Sequence, residues 1–129
     1  MIKFSIITVC LNAGNDLLYT VAETLNQSYK NFEIVIKDGF SSDGAVEKLP
    51  MDSRIRVIRK KDTGIYDAMN QAIEEAAGEY LIFMNAGDTF YAETTLEEIA
   101  AQITDKDVAL YYGRCYNETL AVYSNSPLK

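Results

Sequence analysis

The sequence predicts an α/β domain built on a mostly parallel sheet with helices on both faces. Five short apolar, partly β-branched runs alternate with segments whose apolar residues recur at helical spacing, the pattern of strands joined by covering helices. The first run, Phe4 to Val9, is nearly continuous in apolar residues, as a strand buried on both faces must be. Several runs lead directly into clusters of turn-forming and small polar residues, as ligand loops often do.

The chain has 129 residues, 48% of them apolar, enough for one hydrophobic core and too few for two. A single site is therefore expected. No apolar run of about 18 residues occurs, and Met1-Ile2-Lys3-Phe4 leads straight into a strand rather than a leader, so the chain reads as soluble and cytoplasmic. A formal charge of −7 argues against a nucleic-acid-binding surface, which needs clustered lysine and arginine. The absence of histidine excludes a histidine-dependent triad and the usual zinc sites. Cys10 and Cys115 read as buried or idle thiols.

Taken in order, the first strand is Phe4 to Val9, and Asn12, Asn15 and Asp16 offer caps for a helix carrying Leu18, Val21, Ala22 and Leu25. The second strand, Phe32 to Ile36, ends in the loop Asp38-Gly39-Phe40-Ser41-Ser42-Asp43-Gly44. A third strand is expected around Ile55 to Ile58. A helix with Ile65, Ala68, Met69, Ala72, Ile73 and Ala76 follows, and Gly78 is well placed as its left-handed C-terminal cap. Tyr80 to Met84 forms the fourth strand, Thr94 to Ile103 a helix, and Val108 to Tyr112 the fifth strand. Residues 1–115 make up the domain. The stretch 116–129, without clear period, begins a connection to a further part.

In open α/β sheets the ligand crevice lies beyond the carboxyl ends of the strands. Strand one delivers Asn12 there, strand two Asp38 with Asp43, and strand four Asn85 and Asp88. Each has a plain alternative: Asn12 can cap the first helix, Asp38 and Asp43 can be turn residues with Ser41 or Ser42 capping a short helix, and Asp88 can cap a turn. Three such strand ends together favour a binding site.

The order of motifs resembles family 2 glycosyltransferases. It comprises Ser5-Ile6-Ile7-Thr8-Val9-Cys10-Leu11-Asn12, Gln27-Ser28-Tyr29, Phe32 to Gly39, Ser41-Ser42-Asp43-Gly44, Asp62 to Asn70, and Gly78 to Asp88. The last two look especially like the bacterial branch that builds surface polysaccharides. The resemblance implies a Rossmann-like GT-A fold of which this is the N-terminal, nucleotide-sugar-binding half. It also implies inverting transfer from a nucleotide-diphosphate sugar to a saccharide or lipid-linked acceptor, at the inner face of the membrane through a peripheral association made by a region beyond these residues.

On this resemblance Cys10, Asn12, Asp38, Gly64, Asp67 and Asn85 belong to the nucleotide site, and Asp88 to a Mg2+ or Mn2+ site. A carboxylate such as Asp38 can accept the N–H of a nucleobase edge, and a divalent cation offsets the charge that grows on the diphosphate leaving group. Gly64, lacking Cβ, lets backbone approach the nucleotide closely, whereas Asp67 can also serve simply as an acid near the positive end of its helix. The chain departs from the family pattern in three places. Leu11 stands where an aromatic residue often packs on the base, Met69 where arginine is common, and Asn85-Ala86-Gly87-Asp88 where Asp-x-Asp is usual.

Inverting transfer needs a general base, and none is assigned within these residues. The base is expected beyond Lys129, which makes the isolated chain a binder without turnover. Nine tyrosines, with Tyr111, Tyr112, Tyr116 and Tyr123 near the end, make a homo-oligomer an expectation. A binding-only module is the main alternative function. A receiver-type signalling domain is disfavoured because Leu11-Asn12 and Arg59-Lys60-Lys61 stand where its acidic pair and phosphorylatable aspartate belong. A nicotinamide dehydrogenase would need Gly-x-Gly-x-x-Gly after the first strand.

Overall fold

A computed structural model describes residues 1–104 together with the backbone of residues 114–117 and 122–125. Four parallel strands, β1 (Phe4–Cys10), β2 (Phe32–Asp38), β3 (Ile55–Arg59) and β4 (Tyr80–Phe83), form one sheet in the order β3-β2-β1-β4. The long connections contain α1 (Asn15–Leu25), a single 3₁₀ turn (Val46–Lys48) and α2 (Ile65–Glu75), with α3 (Thr95–Gln102) following β4. The expected strand Val108 to Tyr112 lies outside the described residues. Two further strands, β5 (Arg114–Asn117) and β6 (Val122–Asn125), pair antiparallel.

The period of two along β1 and β2 sorts their side chains onto two layers. On one face Phe4, Ile6, Phe32, Ile34 and Ile36 pack with Leu17 and Val21 of α1 and Leu96 of α3, all buried. On the other, Ile7 and Val35 meet Ala72 of α2. Helices therefore cover both faces, as expected. No helix among the described residues is long and apolar enough to cross a membrane.

The second face also buries polar groups, and these pin the segment between α2 and β4. Glu33 accepts hydrogen bonds from the Ser5 hydroxyl (2.6 Å), the Ala77 N–H (2.6 Å) and Arg56 Nε (3.2 Å). The Ser5 hydroxyl in turn accepts from the Gly78 N–H at 2.8 Å. Here the structure corrects the reading of Gly78 as a left-handed cap. The residue closing α2 is Ala76, in extended conformation, and Gly78 is absent from the described residues with positive φ. Its small size serves a close approach, because a Cβ would lie 2.6 Å from Ser5 N and 2.7 Å from the Phe4 carbonyl carbon.

The cap assignments are also corrected. Gly14, not an asparagine, precedes α1 and makes no side-chain cap, Asn15 is the first helical residue, and Asp16 lies in the first turn. Neither Ser41 nor Ser42 caps the 3₁₀ turn, which follows Ala45. Both serines are held by strand-end residues instead.

Gly78→Ala is expected to destabilise by about 3 kcal/mol, since the neighbours it would strike are backbone atoms that cannot rotate away; urea unfolding measures this. Acid sensitivity should trace to Glu33. Burial pushes its carboxyl up, but the Ser5 hydroxyl, the Ala77 N–H and Arg56 outweigh that and hold it below 4.5. A carboxyl depressed on folding contributes stability that is present above its unfolded pKa and lost as pH falls through the folded one. Between pH 6 and roughly pH 3 the urea midpoint of Glu33→Gln should therefore fall less steeply than that of the native chain.

Candidate functional site

Because β1 lies between β2 and β4, the loops that follow these strands leave the sheet side by side at its carboxyl edge. The first two are laced together. Gly39 N donates to Cys10 O (3.1 Å), Asn12 N to Ser41 Oγ (2.8 Å), Ser42 N to Asn12 Oδ1 (2.8 Å) and Gly14 N to Asp43 Oδ2 (2.7 Å). Asn12 is thus a bridge between loops, and its positive φ of 53° is one that asparagine tolerates better than most residues. The N–H groups of Ala45 and Gly14 hold the Asp43 carboxyl below the ordinary range.

Asp38 sits under this seam with 0% exposure. Its carboxylate accepts a very short bond from the Ser41 hydroxyl, a 3.2 Å bond from Ser41 N, and a 3.1 Å contact from Arg59 Nε, while Cys10 Sγ lies 3.6 Å away. Arg59, at the end of β3, also donates to Ser41 O (2.5 Å) and Glu47 (2.9 Å). A ligand can therefore reach Asp38 only by displacing one of these partners. Cys10 is half-buried, and burial followed by the Asp38 charge pushes its thiol up to about 12. It is a weak donor under the site, not a nucleophile.

The turn after β4 is fastened from below by Thr20 of α1, whose hydroxyl accepts from Gly87 N (2.8 Å) and donates to Asp88 O (2.8 Å). Asn85 and Asp88 are exposed there. The Asp16 carboxylate lies 3.4 Å from where a Cβ on Gly87 would stand. The described residues contain no group of three or more acidic, cysteine or histidine side chains placed to hold a metal ion. An oxygen-only donor set of one or two carboxylates fits a Mg2+-type ion that takes its other ligands from water and phosphate.

On the far side, Lys37 of β2 is fully buried and reaches Asp62 (2.8 Å) and the Lys60 carbonyl. This pair draws the segment 60–64 against the β2 loop, where Asp62 Oδ2 lies 3.2 Å from the Cβ position of Gly39, and the Lys37 ammonium holds the Asp62 carboxyl below its usual range. Gly64 opens α2 at φ 142° with nothing within 4 Å of a Cβ, so backbone conformation, not crowding by the protein, calls for glycine. Asp67 accepts from Thr63 N (2.9 Å) and Gln71 Nε2 (3.1 Å). These bonds tie the Asp67 carboxylate to the first turns of α2.

The structure thus gathers Cys10, Asn12 and Asp38 directly, places Asn85 and Asp88 on the next loop, and sets Gly64 and Asp67 on the opposite flank. Sequence reasoning missed Lys37, Arg59 and Thr20. Thr20 hides at core spacing between Leu17 and Val21, and neither basic residue carries a sequence signal that sets it apart from a surface charge.

The model of the family described as Glycosyl transferase family 2 matches residues 5–129. The chain belongs to that family. A PGL/p-HBAD biosynthesis glycosyltransferase of Mycobacterium bovis is 34% identical over 116 residues, which cover 85% of this chain and 45% of that protein. Glycosyltransferase GlyG of Streptococcus pneumoniae is 30% identical over 118 residues, covering 88% and 39%. The chain spans less than half the length of these relatives. Among solved structures, S. aureus TarS 1-349 in complex with UDP-GlcNAc matches with a TM-score of 0.69 at 26% identity, covering 77% of this chain and 30% of that one. The mannosyltransferase PcManGT from Pyrobaculum calidifontis, in complex with GDP-Man and Mn2+, matches with a TM-score of 0.72 over 79% and 32%. At 22% identity that likeness is one of fold. The family 2 fold here is the Rossmann-like GT-A type.

Asp62→Ala is expected to cost on the order of 2 kcal/mol, because it leaves the buried Lys37 ammonium with only carbonyl partners. Adding Lys37→Met should recover part of that loss in urea denaturation.

Proposed function

We propose that the chain binds a nucleotide-diphosphate sugar and serves inverting glycosyl transfer to a saccharide or lipid-linked acceptor. The observation that carries this reading is the seam between the loops after β1 and β2 over buried Asp38, with the loop after β4 leaving the same edge of the sheet, in a chain that belongs to family 2. Asn12, Gly64, Asn85 and Asp67 frame the nucleotide, and Cys10 lies beneath it. A nucleobase N–H reaches Asp38 by replacing the Ser41 hydroxyl as its donor. Asp88 would hold Mg2+ or Mn2+, which when bound offsets the charge on the diphosphate. The nucleotide sugar in the TarS complex supports the donor class.

No described carboxylate is assigned as the general base. The base, the acceptor site and any attachment to the cytoplasmic face of a membrane belong, on this proposal, to the remaining length seen in the relatives. Tyr111, Tyr112, Tyr116 and Tyr123, on which an oligomer was expected, lie where no side chain is described. A binding-only module is the second reading, favoured by the lack of a multi-carboxylate metal cluster among the described residues.

Isothermal titration of the chain with UDP and GDP, with and without Mn2+, tests this. Binding that Mn2+ tightens by about tenfold, and that loses this gain in Asp88→Ala, supports the transferase site. Binding indifferent to both metal and Asp88 supports the binding-only module, and absence of binding to every nucleoside diphosphate by the folded chain overturns the proposal.

A further inference from the structure

Among the described residues, the non-glycine positions with positive φ are Asn12 and Phe40, and both lie on the paired loops over Asp38. Asparagine takes this conformation readily, whereas a bulky aromatic does so only against steric cost. Phe40, at φ 68°, is therefore imposed by its surroundings. The fixed points adjoin it on either side: Gly39 N is tied to Cys10 O, and Ser41 is tied through N and Oγ to Asp38. A glycine at position 40 would satisfy the same backbone without strain.

What the phenylalanine brings is not core packing, since its side chain remains 51% exposed. Leu11, the matching residue of the first loop, is 64% exposed, and its Cδ1 lies 3.6 Å from the Cβ position of Gly39, next to Phe40. Two large apolar side chains thus stand in solvent beside the buried polar cluster, one of them on strained backbone. A flat, partly polar heterocycle matches this combination: apolar surface for its face and hydrogen-bonding groups for its edge.

Resting on the nucleotide-binding reading above, we propose that Phe40 is the nucleobase-stacking residue of this chain. It supplies from the β2 loop the aromatic surface that Leu11 does not provide from the β1 loop. The site would therefore hold the base by stacking at Phe40 as well as by edge contacts at Asp38, and Phe40 would matter to free nucleotides but not to inorganic pyrophosphate.

Three variants of the 129-residue chain test this with UDP, GDP and pyrophosphate as probes. Phe40→Gly should weaken UDP or GDP binding by about tenfold or more, leave pyrophosphate binding unchanged, and keep Tm unchanged or raise it by a few degrees as the strain is relieved. Phe40→Tyr should restore nucleotide affinity. Phe40→Trp places a single tryptophan in a chain that has none, and its fluorescence should change saturably with UDP or GDP but not with pyrophosphate. The proposal is overturned if Phe40→Gly binds nucleotides as the native chain does. It is equally overturned if Phe40→Gly loses nucleotide and pyrophosphate binding together with Tm, which would make the ring structural. Failure of the native chain to bind any nucleotide is a different result and sinks the nucleotide-binding reading itself.

Discussion

The carboxylate of Asp38 is removed from solvent at the point where β2 ends, and a buried charge persists only if it is paired and hydrogen-bonded. That requirement organises the edge of the sheet around it. Ser41 must turn back toward the strand, Arg59 must come across from β3, and the loop between must follow the path these contacts leave. The Arg59 guanidinium is itself divided between Asp38, Ser41 O and Glu47, so the β2 loop is held from strand and turn alike. Once Ser41 is placed, Asn12 can bridge to it, and the first loop inherits its position from the second.

The two faces of the sheet divide the labour differently. The face under α1 and α3 carries the larger apolar cluster and supplies much of the nondirectional drive to fold. The face under α2 interrupts its apolar patch with Ser5, Glu33 and Lys37, all buried. Buried polar groups add little net stability, but each accepts only certain partners. Glu33 accordingly fixes residues 77 and 78 at one end of the sheet, and Lys37 fixes residues 60–62 at the other. The apolar face says that a helix packs here; the polar face says where the loops before and after α2 must lie.

This division also explains what could be read beforehand. The four parallel strands and the helices that cover them were legible because apolar period reflects the nondirectional term, which depends on composition and spacing alone; β5 and β6 were not. Asn12, Asp38, Asn85 and Asp88 were legible as polar residues directly after apolar runs. Lys37 was not, since an alternating strand gives a lysine a solvent face by default and only the three-dimensional approach of Asp62 reverses that. Gly78 was misread because a glycine just after a helix satisfies two different physical demands, a left-handed cap or a close backbone contact, and the sequence carries no sign to separate them. Thr20 shares that ambiguity, its hydroxyl being invisible behind a helical core pattern.

The distribution of strain completes the picture. Loops that must hold a flexible ligand gain from being ordered in advance, because conformational entropy lost during folding is not lost again on binding. The seam of hydrogen bonds between the first two loops provides such order. The same seam is stiff enough to keep Asn12 and Phe40 in left-handed conformations, at a cost of roughly 1–3 kcal/mol for a bulky side chain. The apolar packing of the opposite face is what makes such a cost tolerable, since it secures the fold independently of the loops. Stability thus resides chiefly in the layers beneath α1 and α3, and the carboxyl edge is free to carry residues chosen for contact rather than for ease of folding.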